Sequence, residues 1–156
     1  MGTPIYKIKK LDLCSLNRTS PLGCWFYNLV QKDIVTLKDS DICCMLRQDI
    51  YLDIAVPKAL EILAVEPFCG PIYNGQMMQN LIDALLRNPI NLKDPIYISL
   101  LERIRLTLEN KNWNSIDEAE REDLKTLAVQ FYRIVDYNTI KRIADITYQP
   151  PNDAPL

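Results

Sequence analysis

The chain has 156 residues, with 18 basic and 20 acidic side chains for a formal net charge of -2, and no histidine. A chain of that length can bury one core without a disulfide or metal. Its charge lacks the basic footprint of a nucleic-acid binder. Without imidazole there is no Ser-His or Cys-His nucleophile pair and no His-ligated zinc.

Five cysteines, Cys14, Cys24, Cys43, Cys44 and Cys69, contain no CxxC pair, and no signal-peptide pattern opens the chain. They read as reduced, intracellular thiols. No apolar run approaches the ~18–20 residues of a membrane span, so the expectation is a cytoplasmic protein with no membrane contact.

In chain order, residues 1–35 pattern weakly. Ile5, Tyr6 and Ile8 alternate with Lys7, Lys9 and Lys10, which reads as either a short strand or an irregular arm. Ser20 and Pro21 are an N-cap and first helical residue. The helix they open carries Trp25, Phe26 and Tyr27, expected to anchor the arm on the core.

Residues 36–47 read as a helix whose entry is marked by Asp39, Ser40 and Asp41, with Ile42, Cys43 and Leu46 on one face. The vicinal Cys43 and Cys44 point in different directions on a helix and read as structural. Residues 48–66 are apolar around almost the whole circumference, which predicts a fully buried central helix. Because Pro57 lies inside it, the helix either starts near Asp53 or kinks.

Residues 68–75 hold two of only four glycines and form the densest turn signal. Asn74 is the expected N-cap of the next helix, in which Met77, Met78, Leu81, Ile82 and Leu85 repeat at helical spacing and read as core. A polar link over 87–93 leads to Asp94 and Pro95, a cap and first helical residue. Tyr97, Leu100, Leu101, Ile104 and Leu108 would face inward, with Glu102, Arg103, Arg105 and Glu109 on a solvated face.

Ser115 and Glu118 have capping-box spacing ahead of a helix that should bury Leu124, Leu127, Ala128, Phe131, Ile134 and Val135. Its opening turns carry Asp117, Glu118, Glu120, Glu122 and Asp123 against one basic residue, Arg121. Acids there stabilise a helix start, and they are also the first candidate for docking a basic partner. A short helix is expected over 139–146 and a loose proline-rich tail over 149–156. The fold class is all-α: one domain over 1–148, a bundle of about five to seven helices.

Chemistry-bearing motifs are missing. No G-x-x-x-x-G-K-[ST], G-x-G-x-x-G or G-x-S-x-G occurs. Asp49 and Asp53 stand one helical turn apart, a carboxylate pair of a kind frequent by chance. No catalytic residue, cofactor or metal is expected, and the oligomeric state stays open.

Three groups of residues in the middle of the chain occur in a telling order: Leu37, Asp41, Ile42, Leu46, Arg47 and Gln48; then Pro57, Ala59, Leu60, Glu61 and Leu63; then Pro67, Gly70, Tyr73 and Gly75. In this order the chain resembles the immunity proteins of bacterial contact-dependent growth inhibition (CDI) systems, their α-helical group among them. Where that family has an acid just after the second glycine of the turn, this chain has Gln76.

The resemblance implies a non-enzymatic cytoplasmic protein that binds and neutralises the C-terminal toxin domain, typically a nuclease, of a cell-surface effector encoded upstream. It also implies that Arg47, Gln48, Pro57, Leu60, Gly70, Tyr73 and Gly75 are structural. A helical adaptor or regulatory binding domain fits the composition too. A transcription regulator would need a more basic helix than the one around Arg103 and Arg105, where glutamates balance the charge.

Overall fold

A capping side chain followed by proline marks the start of two of the helices in the computed structural model, which describes residues 2–92 and 94–135. Among the described residues seven α-helices follow one another: α1 (Ile5–Ile8), α2 (Pro21–Val30), α3 (Asp39–Arg47), α4 (Leu52–Val65), α5 (Gln76–Arg87), α6 (Pro95–Glu109) and α7 (Glu118–Val135). Short 3-10 turns at Leu13–Ser15, Ile34–Thr36 and Trp113–Ser115 join them. Ser20 caps α2 by accepting from the Gly23 amide, and Asp94 caps α6 by accepting from that of Ile96. Each proline follows its cap, where its missing N–H costs no intrahelical bond. The all-α expectation is met: among the described residues extended pairing is limited to an isolated Pro4–Asp33 bridge.

Two helices organise the rest. α4 packs on α3, α5 and α6, while α5 packs on α3, α4 and α7. Leu60 and Leu63 of α4, Met77, Met78 and Leu81 of α5, and Ile42, Met45 and Leu46 of α3 meet in one fully buried core. Each such side chain contributes about 1.5–3 kcal/mol on leaving water. The Tyr132 hydroxyl donates to the Leu101 carbonyl at 3.1 Å and so ties α7 to α6.

Several local expectations are corrected. Residues 5–8 form a helical turn rather than a short strand or an irregular arm. Ile5 is fully buried and its amide donates to the Lys32 carbonyl at 3.0 Å, so the arm is pinned by burial. Leu29 and Val30 are the buried residues of α2; half-buried Trp25 and Phe26 pack against the core as expected, whereas Tyr27 lies under the Arg18 guanidinium, 4.7 Å from its ring centre. α4 is not buried all round, because Asp53, Glu61 and Val65 reach solvent.

Gly75, not Asn74, occupies the N-cap of α5; at φ 86° it takes a left-handed conformation that a side chain would oppose. The Ser115 hydroxyl donates back to the Asn112 carbonyl at 2.7 Å, three residues before α7 begins, so no capping box forms. Arg105 is only 8% exposed, held by ion pairs to Glu102 and Glu109, and does not belong to a solvated face. Tyr132 joins the α7 core, and Ile134 and Val135 are half-buried. The helix expected over 139–146 and the tail over 149–156 lie outside the described residues.

Pro57 falls in the second turn of α4 and leaves the Asp53 carbonyl without an i+4 N–H donor. Pro57→Ala is therefore expected to raise stability by roughly 1–2 kcal/mol, less than the full propensity difference because proline also restrains the unfolded chain. A urea melt showing a loss would contradict this.

The far ends of α3 and α5 are tied by Arg87. Its guanidinium holds the Asp49 carboxylate through two nitrogens at 3.0–3.2 Å and also donates to the Leu46 carbonyl at 3.0 Å. Asn88 adds a bond to Asp49 at 2.8 Å. The Arg87 hydrogen bonds, more than its charge, hold the Asp49 carboxyl below the usual range. A carboxyl with a lowered folded pKa contributes stability above its unfolded pKa and loses it as pH falls through the folded value. Asp49→Asn should thus destabilise at pH 7, and the difference from the parent should shrink below about pH 4. Equal differences at pH 7 and pH 3 in thermal melts would refute the assignment.

Candidate functional site

The turn of residues 68–75 is closed by its own backbone. The Gly75 amide donates to the Phe68 carbonyl at 2.8 Å, and the Met77 amide donates to the Cys69 carbonyl at 3.2 Å. Gln76, 3% exposed in the first turn of α5, reaches back and accepts from the Ile72 amide at 2.9 Å. This side chain supplies a neutral acceptor that closes the turn. A buried amide oxygen does this without the desolvation cost of a carboxylate.

Phe68 at the start of the turn is buried, whereas the side chains at its tip face outward. Ile72 is 80% exposed and Tyr73 52%, so Tyr73 is not held by burial. Gly70 and Gly75 serve close approach. A Cβ on Gly70 would lie 2.0 Å from the Tyr73 carbonyl oxygen, and one on Gly75 would lie 2.7 Å from Leu127 Cδ2.

That second contact shows where the turn sits. It docks on the opening turns of α7, more than forty residues away in sequence, and Asn74 Nδ2 donates to Glu120 Oε1 at 2.6 Å. Of the five candidate acids, Asp117, Glu118, Glu122 and Asp123 are exposed, and Glu120 is half-buried against the turn. Glu122 also stands 3.8 Å from Lys125.

Between turn and helix lies an open cleft of about 490 Å³. Phe68, Pro71, Ile116 and Leu124 give it apolar walls, and Asp39, Glu66 and Glu120 line it with carboxylates. Lys111 is the cation among its described lining residues; its ammonium lies 3.6 Å from Glu66 Oε1 and 5.5 Å from the centre of the Phe68 ring. Cys69 also lines the cleft, and its thiol is pushed up to about 11, first by burial and then by the negative charges of Asp39, Cys43 and Glu66.

The other candidate residues stand apart. Arg47 and Gln48 are exposed at the end of α3 remote from Asp39, Pro57 is half-buried, and Leu60 is in the core. Asp49 and Asp53 do not act as a pair, since Arg87 holds one and Lys9 binds the other at 2.6 Å. Sequence reading did not single out Asp39, Glu66 and Lys111 as site residues. They are 27 and 45 positions apart in turn, so no local spacing could have marked them.

Among the described residues no helix is long and apolar enough to cross a membrane. No curated protein and no solved structure matches the chain. The sequence model of one family, described as CDI immunity proteins, matches residues 7–94. The matched span runs from α1 through α5 and includes the turn, Asp39 and Glu66, while Lys111 and Glu120 lie beyond it. Covering more than half of the 156 residues, this match shows that the chain belongs to the CDI immunity protein family.

Proposed function

We propose that the chain binds the toxic C-terminal domain of a cognate CDI effector in the cytoplasm and neutralises it without catalysis. The toxin is a nuclease, which must carry basic residues to hold phosphates. One observation carries this reading beyond family membership: the family's turn and the acid-rich start of α7 form a single face, with Ile72 and Tyr73 projecting from it. Exposed carboxylates steer a basic partner into encounter, and exposed aromatic and aliphatic side chains supply contact area once it arrives. A protein seated there would cover the phosphate-binding groups of the nuclease or flank them.

The test is binding to the toxin domain encoded upstream. Reversing Glu118, Glu120 and Asp123 to lysine should raise Kd roughly 100-fold at low salt and flatten its salt dependence. Cells expressing the toxin should then lose protection. Unchanged affinity and protection would remove this face from the interface.

A further inference from the structure

We propose that the cleft between the 68–75 turn and the start of α7 takes one arginine or lysine side chain of the toxin domain. This rests on the toxin-binding reading above and names the anchor within that face. Three carboxylates against one ammonium leave the lining short of positive charge. Glu66 uses Oε1 for the Phe68 amide and Lys111, and Glu120 uses Oε1 for Asn74. Among the described residues nothing donates to Oε2 of either, and Asp39 forms no ion pair.

The apolar walls suit the aliphatic stem that every basic side chain must bury to deliver its charge. Lys111 shows that the cleft accommodates this chemistry, because its ammonium already sits between an aromatic face and a carboxylate. The Cys69 thiol, raised first by burial, is raised further by the carboxylates of Asp39 and Glu66. With Lys111 in place the cleft still leaves about 490 Å³ of open space, and Ile72 and Tyr73 stand on the same turn to pack against a partner's surface.

The experiment uses the full chain and the toxin domain encoded upstream, inactivated in its catalytic centre, with Kd measured by calorimetry. Glu66→Gln and Glu120→Gln preserve shape and should each raise Kd by about 5- to 50-fold. Lys111→Met removes the internal competitor and keeps the stem, so it should lower Kd several-fold. These opposite signs separate an anchor cleft from a merely structural one.

If both glutamine variants stay within about twofold of the parent, or if Lys111→Met weakens binding as they do, the cleft is not the anchor. If the parent chain does not bind the toxin at all, the functional reading falls with it. An NMR footprint on the unmutated chain needs no variant to fold. Amide shifts centred on residues 69–74 and 116–124 support the proposal, and shifts confined to other elements overturn it.

Discussion

Gly70→Ala will destabilise the chain by about 3 kcal/mol, a loss that lowers Tm by roughly 6–12 °C at this size. The added Cβ would stand 2.0 Å from the Tyr73 carbonyl oxygen and 2.6 Å from Gln76 Cβ. The first collision is with backbone, which has no rotamer to move into. The turn can relieve it only by opening, and opening releases the hydrogen bonds from Gly75 to Phe68 and from Ile72 to the Gln76 side chain.

Gly75→Ala makes an informative companion. It meets the tips of Leu127 and Leu124 at 2.7 and 3.1 Å, groups that can rotate away, and its main cost is the left-handed backbone. That cost is about 1–2 kcal/mol. Urea melts should therefore rank Gly70→Ala below Gly75→Ala, and both below the parent. Parental stability for Gly70→Ala would mean that the turn does not have this geometry.

The second large effect is expected in the core. Leu60 is 1% exposed on α4, the helix that touches α3, α5 and α6. Leu60→Ala should cost about 3–4 kcal/mol, because three surrounding helices cannot all collapse into the space left behind. Its neighbour Glu61 is exposed, and Glu61→Ala should change stability by under ~0.5 kcal/mol. Chemical denaturation of the two variants side by side would check both numbers, and a Leu60→Ala cost below ~1 kcal/mol would show that the interior is not tightly packed.

Helix existence was legible wherever local chemistry is strong. Ser20 with Pro21, and Asp94 with Pro95, each combine a side-chain acceptor with a ring that needs no donor, and both helices start where expected. The repeat from Met77 to Leu85 likewise returned as the buried face of α5. Expectations failed where a tertiary contact outbid a local rule. Asn74 is a good cap in isolation, but its side chain donates to Glu120 across the turn, and α5 begins one residue later with Gly75 at the cap position. Arg105 belongs to a charged helix face by periodicity, and Glu102 and Glu109 pair with it locally, yet the packing of the bundle leaves it only 8% exposed.

The sequence alone determined the helical class, because helical apolar spacing and proline-marked starts are properties of neighbouring residues. It also held the family, written in the order of residues from Leu37 to Gly75. Only the tertiary structure decided that the turn meets α7, and hence that Asp39, Glu66, Lys111 and Glu120 line one cleft. The physical reason is range: a cap or an apolar stripe is set within a few residues, while a cleft is set by how separate helices pack.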